Sequence, residues 1–148
     1  MPPRPVEAFF RSYNRTMNQS AIGAAREFVR AINRQDVDAL VPLMTPDHTF
    51  TDSLGNTVAG RDRMRAGWAG YFAMVPDYSI TIEESYGDGD VVVLLGVAQG
   101  TYKSKDGMVQ ENRWHTPIAV RARVEDGHVA AWRVYADNEP LRSLMRNS

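Results

Sequence analysis

Residues 47–62 read Asp-His-Thr-Phe-Thr-Asp-Ser-Leu-Gly-Asn-Thr-Val-Ala-Gly-Arg-Asp, and the rest of the chain can be organised around this stretch. Its first half alternates and is rich in Thr and Phe, which predicts a strand, and the Leu-Gly-Asn that follows predicts a turn. Because residues two apart on a strand share a face, we expect His48, Phe50 and Asp52 to point the same way. After Gly60 the apolar residues recur at helical spacing.

Asp52 ends this strand, and the residues around it are compatible with two roles for its side chain. If its face turns toward the core, the carboxyl group enters an apolar enclosure, where burial raises the pKa and allows proton exchange near neutral pH. Alternatively, Asp52 caps the turn by binding backbone N–H groups, as Asp commonly does. The local pattern by itself favours the cap.

The composition excludes several classes of protein. The 148 residues suffice for one domain with a substantial core. A formal net charge of -1 and the lack of a Lys/Arg run argue against a nucleic-acid partner. The chain has no cysteine, which rules out disulfides, thiolate metal sites and cysteine nucleophiles. No run approaches the roughly 20 apolar residues of a membrane span, and no apolar signal core follows the first prolines, so we expect a cytoplasmic protein.

The first half of the chain predicts helices. Residues 1–19 form a Pro-rich N-terminal arm, expected either to pack on the body or on a partner subunit, or to be poorly ordered. Ser20 is expected to cap the first helix of the main domain, residues 20–148, with Phe28 on the apolar stripe. A second helix is expected to be short because Pro42 disturbs it.

The second half predicts strands. Extended patterns cover residues 78–83, 91–97, 109–124 and 129–136. Asp126-Gly127 is a strong signal for a tight hairpin. A third helix precedes these strands, and a short one ends the chain. Helices early and hairpins late indicate an α+β domain with an antiparallel sheet, and a curved sheet around helices encloses a pocket.

Three segments give the chain a resemblance to a known family: residues 28–40, residues 50–62, and residues 125–137, which read Glu-Asp-Gly-His-Val-Ala-Ala-Trp-Arg-Val-Tyr-Ala-Asp. Together they resemble the nuclear transport factor 2-like superfamily, and the last segment is specifically SnoaL-like. The resemblance extends over about residues 20–146. It implies a cystatin-like cone, in which a curved mixed or antiparallel sheet wraps around about three helices. Members include isomerases, cyclases, epoxide hydrolases and non-catalytic modules, so the site residues must decide the function.

The ketosteroid isomerases of this superfamily suggest a role for Asp52. Their proton-shuttling Asp lies at the end of the first strand, before a Gly-containing turn, and Asp52 matches that position. The same enzymes hold the oxyanion with a Tyr on the first helix and an Asp on a late strand. The corresponding positions here are Phe28 and either Ala119 or Val120, which cannot donate a hydrogen bond. Steroid isomerisation by that mechanism is therefore not expected.

A second pattern lies on the predicted long strand. Arg113-Trp114-His115 resembles the Arg and Asp with which limonene epoxide hydrolases help activate a water, with His in place of Asp. A neutral His can act as a general base near neutral pH. Arg113 and His115 reach the pocket only if their side of the strand faces inward, whereas the apolar alternation places the other side inward. Pro117 can mark a bulge that resets the register.

The remaining candidates concern the pocket wall. Several aromatic side chains are expected to form the core and a ligand-binding surface at once: Phe28, Phe50, Trp68, Tyr71, Phe72, Trp114 and Trp132. His48 is expected to be a half-buried structural residue, too far along the strand to pair with Asp52. The three histidines lack metal-binding spacing, so neither a metal nor another cofactor is expected.

These observations predict a small-molecule enzyme of the cyclase or isomerase type, with cofactor-independent acid-base chemistry in an apolar pocket. Asp52 would move the proton, His115 would be a second acid or base, and Arg113 or Tyr71 would orient the ligand, a small apolar or carbonyl-bearing molecule. Two alternatives are water addition, as in an epoxide hydrolase, and a non-catalytic ligand-binding or dimerisation module. The resemblance implies a homodimer through the convex sheet face; neither nucleic acid nor membrane is expected as a partner.

Overall fold

A computed structural model of the chain describes residues 5–147, with side chains described for residues 6–8 and 19–147. The described residues form α-helices and strands in this order: α1 (Pro5–Asn33), α2 (Val37–Leu40), β1 (Met44–Thr51), β2 (Thr57–Ala59), α3 (Arg61–Met74), β3 (Ser79–Asp88), β4 (Val91–Thr101), β5 (Arg113–Glu125), β6 (His128–Ala136) and α4 (Glu139–Arg146). Single 3-10 turns cover Val41–Leu43 and Gln110–Asn112. None of the described helices is long and apolar enough to cross a membrane.

The strands form one curved sheet in the order β2-β1-β6-β5-β4-β3. All neighbours are antiparallel except β1 and β6, which are parallel, so the predicted mixed α+β cone is confirmed. The pairing of β3 with β4 shifts between Ile82 and Glu84, an irregularity that bends a sheet. Gly96 lies opposite this shift, and a Cβ there would come within 1.9 Å of the Thr81 carbonyl oxygen. Only glycine allows the two strands to approach this closely.

The core lies between the concave face of this sheet and the helices α1 and α3. Phe28 and Ile32 of α1 are fully buried in it. The end of α1 is tied to the edge strand β3 by Asn33, whose side-chain amide donates to the Ile80 carbonyl at 3.0 Å and accepts from the Ile80 N–H at 2.8 Å. These two hydrogen bonds to one residue hold the end of the first helix against the sheet.

Helix α1 corrects the expected start of the first helix. Ser20 does not cap it, because the helix begins at Pro5 and continues through Ser20 without interruption. An exposed Ser inside a helix costs only a few tenths of a kcal/mol, and no Gly or Pro precedes it within the segment 6–19 to stop the helix. How the side chains of residues 9–18 pack, and the order of residues 1–4, lie outside the described residues.

Two local predictions are confirmed and one is wrong. Asp126 and Gly127 both have positive φ, 49° and 78°, as the tight hairpin turn requires. The helix α2 ends before Pro42, which lies in a 3-10 turn. Pro117, however, marks no bulge: it pairs with Val97 in an unshifted register. The ladder to β6 begins only at Ile118, so Pro117 removes no hydrogen bond on that side.

Candidate active site

A cavity of about 340 Å³ lies between the inner face of the sheet and α3, at the end of β1. Cavities of roughly 300–1,000 Å³ hold small-molecule ligands in proteins. Most of its wall is apolar or aromatic, with a few polar groups, and it consists of Phe50, Asp52, Ser53, Val58, Arg63, Met64, Gly67, Trp68, Tyr71, Tyr78, Ala98, Ile118, Trp132, Val134 and Asn138. This composition suits a mainly apolar ligand that carries one or two polar groups.

Asp52 borders this cavity and also caps the turn after β1. Its Oδ1 accepts hydrogen bonds from the backbone N–H groups of Leu54 and Asn56, both at 2.9 Å. Its Oδ2 has only a long bond of 3.3 Å from the Asn56 side-chain amide. The capping role is therefore confirmed. The same bonds hold a half-buried carboxylate in a fixed position beside the cavity, so the two roles open for Asp52 are compatible.

The aromatic residues predicted to bind ligand divide into two groups. Phe50, Trp68, Tyr71 and Trp132 line the cavity. Phe28, Phe72 and Trp114 do not; they are buried behind the wall. Phe28 packs on Trp132 with ring centroids 4.5 Å apart, and Phe72 packs on Trp68 at 5.5 Å. Phe28 and Phe72 therefore hold the wall residues in place from behind and do not contact the cavity themselves.

Tyr71 and Tyr78 present the two phenol groups of the cavity. Their rings meet edge to face with centroids 4.9 Å apart. Burial raises the pKa of both hydroxyls well above the usual value, so both are protonated at neutral pH. Tyr78 was missed by the sequence reasoning, which placed it on a half-buried strand; it lies instead in the turn between α3 and β3. Tyr78 follows Pro76 by two residues, and no local pattern marks it as part of the site.

His48 is more deeply buried than predicted, with no exposed surface. Its Nδ1 carries a hydrogen and donates to the Val129 carbonyl at 2.7 Å, because that oxygen can only accept. The Nε2 atom has no partner among the described residues. Burial lowers the pKa of this imidazole, which keeps the ring neutral. Its stacking on Phe28, at 5.8 Å, places it in the core below the cavity and agrees with a structural role.

Arg113 and His115 are not brought to the cavity. Both are exposed on the outer face of β5, whereas Trp114 and Thr116 between and after them are buried. The strict alternation along β5 leaves no shift that would turn them inward. The structure therefore corrects the predicted constellation: Asp52 has neither of them as a neighbour at the cavity wall.

The polar rim contains residues that the sequence reasoning did not single out. Asn138 donates to the Ser53 hydroxyl at 3.0 Å and so links the end of β1 to the start of α4. Arg63, in the first turn of α3, is exposed at the rim and has no ion pair within the described part of the chain. Their positions depend on long-range packing, so no local pattern marks them.

Residues 25–132 match the SnoaL-like domain. The chain belongs to the SnoaL-like family. No curated protein sequence matches this SnoaL-like chain significantly.

Solved structures with the same fold carry several names. A protein from Catenulispora acidiphila with a ketosteroid isomerase-like fold, in complex with trimethylamine, is 24% identical, with a TM-score of 0.66 over 76% of this chain and 83% of that one. An LEH-like epoxide hydrolase of M. tuberculosis is 19% identical, with a TM-score of 0.72 over 87% and 92%. A protein of Shewanella denitrificans assigned as a SnoaL-like polyketide cyclase is 14% identical, with a TM-score of 0.74 over 86% and 98%. Identities this low establish the fold and leave the activity open.

The site of this SnoaL-like chain has its own donor arrangement. Phe28 and Val120 are buried apolar residues and Ala119 is half-buried, so none of these side chains donates a hydrogen bond to the cavity. Phenol hydroxyls instead come from the region of α3 and the turn after it. Among the described residues, no group of three His, Asp or Glu side chains is placed to hold a metal ion. The cavity offers one carboxylate, two phenols and a large aromatic surface, with the Arg63 guanidinium, the Ser53 hydroxyl and the Asn138 amide at its rim.

Proposed function

We propose that this SnoaL-like chain binds a small, mainly apolar carbonyl compound and catalyses proton transfer on it without a cofactor. Asp52 is the acid-base group in this proposal. The observation that carries it is the position of the Asp52 carboxylate: it is fixed through Oδ1, has only one long bond at Oδ2, and borders an apolar cavity. A positioned carboxylate of this kind typically contributes a factor of roughly 10²–10⁴ to proton-transfer rates.

The chemistry is enolisation. A C–H bond next to the carbonyl breaks, its electron pair forms a C=C bond, and the carbonyl π pair moves onto oxygen. The proton goes to Asp52 and returns to the ligand, either to the same carbon or to another one. In a ketone with a C=C bond one carbon further along the chain, the enolate is conjugated, and return of the proton to its far (γ) carbon is isomerisation. Attack of the enolate carbon on a second carbonyl of the same ligand is cyclisation, and the proton then goes from Asp52 to the new alkoxide oxygen. No oxidant or co-substrate is needed.

Specific observations bear on two other functions, one against and one in favour. Water addition loses its support because Arg113 and His115 face away from the cavity. A non-catalytic binding module is favoured by the use of Asp52 Oδ1 in the turn, since the carboxylate already has a structural task. The cavity itself fits both an enzyme and a binding module, so catalysis must be tested directly.

We also propose a homodimer that uses the outer face of the sheet. On β4 the outward residues Val93, Leu95 and Val97 are only half-buried, so an apolar stripe runs along this face. Exposed Arg121 lies on β5, which pairs with β4, and exposed Arg133 lies opposite it on β6, one strand further. An apolar stripe with charged residues beside it is the usual composition of a protein–protein interface.

The catalytic proposal is tested by deuterium incorporation into a panel of cyclic and aromatic ketones in D₂O, followed by NMR. Wild-type protein should accelerate exchange for at least one ketone. Asp52→Asn should lower the bound-state rate by roughly 100-fold or more, because the amide cannot accept the proton. Asn keeps an oxygen for the two turn N–H groups, so the fold is preserved.

Asp137→Asn is the matched control. Asp137 also accepts a backbone N–H two residues ahead, from Glu139 at 3.0 Å, but does not border the cavity. Its substitution should leave exchange unchanged. If ketones bind to the wild-type protein and no exchange above buffer is seen, the protein is a binding module.

A further inference from the structure

The hydroxyls of Tyr71 and Tyr78 are an unused pair of hydrogen-bond donors in the cavity. Neither hydroxyl makes a hydrogen bond to another described residue, although Tyr78 is only 7% exposed. The indole nitrogens of Trp68 and Trp132 also lack a partner, but they are sealed inside the protein. The two phenol oxygens are not sealed. A molecule in the cavity can therefore reach them, as donors inside the aromatic wall rather than at the polar rim of Ser53, Arg63 and Asn138.

No described residue accepts a hydrogen bond from either hydroxyl, so only water or an acceptor on a ligand can do so. The acceptor must be one that tolerates an apolar enclosure, because the surrounding wall is formed by residues such as Trp68 and Ile118. A carbonyl oxygen meets this condition. It becomes a much stronger acceptor when negative charge develops on it, since hydrogen bonds to charged groups are roughly twice as strong as neutral ones.

We infer that Tyr71 and Tyr78 donate hydrogen bonds to the ligand's carbonyl oxygen and stabilise the enolate oxygen that forms when Asp52 takes the proton. This inference rests on the proposed function and assigns the ligand class: a ketone or enol whose oxygen points toward the turn between α3 and β3. Both tyrosines would be catalytic residues, since they contact the reacting atoms. The pair would replace the donors missing at Phe28 and at Ala119 or Val120.

The protonation of the pair suits this task. Because burial raises the pKa of both phenols, each keeps its hydrogen throughout the neutral range and remains able to donate. The edge-to-face contact between the rings, with centroids 4.9 Å apart, restricts both side chains. Donors fixed before the reaction stabilise developing charge without reorganisation, which is the basis of oxyanion holes.

The test uses 4-nitrophenolate as the probe, whose charged oxygen stands in for the enolate, and 4-nitrotoluene as its neutral counterpart without that oxygen. Affinities are measured by calorimetry in a mildly alkaline buffer, in wild-type protein and in Asp52→Asn, which removes charge repulsion. In both backgrounds, Tyr71→Phe and Tyr78→Phe should each weaken 4-nitrophenolate binding by roughly tenfold or more. Binding of 4-nitrotoluene should change by no more than about twofold, because the rings remain.

Tyr135→Phe is the control, since Tyr135 is exposed and does not line the cavity. It should leave both affinities unchanged. The inference is overturned if 4-nitrophenolate does not bind, if its affinity survives both Phe substitutions, or if both probes weaken equally. Phenolate binding that depends on the tyrosines, in a protein without ketone exchange, would support the donor pair and reject Asp52 as the base. Ketone exchange with unchanged phenolate affinity would do the reverse.

Discussion

Two glycines on α3 offer a matched test of the cavity. Gly67 lines it, whereas Gly70, one turn further along the same helix, does not. Both are exposed. A Cβ at Gly67 would lie 3.7 Å from Cε of Met64, an ordinary contact, and a Cβ at Gly70 would meet nothing within 4 Å. Both positions therefore accept alanine without strain.

The size of the effect follows from helix propensity. Glycine inside a helix is less favourable than alanine by about 0.8–1.0 kcal/mol. Gly67→Ala and Gly70→Ala should each raise the free energy of unfolding by roughly that amount, measured by urea denaturation with tryptophan fluorescence. Larger residues should separate the two sites. In Gly67→Leu the added side chain fills part of the cavity, which should cost roughly 1–3 kcal/mol of binding free energy. The affinity for a ligand should therefore fall about ten- to hundredfold.

Gly70→Leu should leave ligand affinity within about twofold, because its side chain points to solvent rather than to the cavity. Affinity is measured by calorimetry with 4-nitrotoluene. Equal losses of affinity at the two sites, or no loss at Gly67, would refute the assignment of this cavity as the ligand site. A fall in stability for Gly67→Ala would refute the space estimate at that position.

Three further predictions concern the cap, the buried histidine and the outer face. Asp52→Ala should lower the free energy of unfolding by about 1–2 kcal/mol, because two turn N–H groups lose their acceptor. Asp52→Asn should lower it by less than about 0.5 kcal/mol, because the amide oxygen still accepts. Equal losses for the two variants in urea denaturation would contradict the capping role. The pKa of His48 is lowered in the folded state, so the unfolded chain binds the proton more readily and stability falls as pH drops below the unfolded value of 6.5. The loss amounts to at most about 1.4 kcal/mol per pH unit. In His48→Asn, which can still donate to the Val129 carbonyl, the free energy of unfolding should depend less on pH, as measured by urea titrations at a series of pH values. The same pH dependence in both proteins would reject this role of His48. Leu95→Asp should convert a dimer to monomers in sedimentation experiments, and a wild-type monomer at all concentrations would reject the proposed interface.

The architecture and the role of Asp52 in the turn could be predicted from the sequence, because both depend on local patterns. The hairpin turn at Asp126 needs positive φ at two adjacent residues, and Asp-Gly is among the few pairs that adopt it readily. The alternation along β5 correctly indicated that the apolar side faces inward, which places Arg113 and His115 outside. The turn after Asp52 was recognised from its residue types, so its capping role could be predicted.

The remainder depends on contacts between distant parts of the chain. Tyr78 joins Tyr71 because Pro76 ends α3 and the chain turns back on it, a geometry that periodicity does not encode. The start of α1 was misplaced because Ser20 is a good capping residue and also a tolerable one inside an exposed helix. The resemblance to epoxide hydrolases suggested a catalytic role for His115, but the alternation along β5 argued against it, and the structure agrees with the alternation.

The central claim is that one ligand occupies the cavity and contacts the Asp52 carboxylate there. It is tested most directly by ¹³C NMR of protein labelled at the aspartate carboxyl carbons, with the Asp52 signal assigned by its loss in Asp52→Asn. Saturation with a ketone that binds should shift the Asp52 signal in the wild-type protein and leave that of Asp137 in place, and Gly67→Leu should suppress the shift at the same ketone concentration. A bound ketone with an unshifted Asp52 signal would contradict the claim.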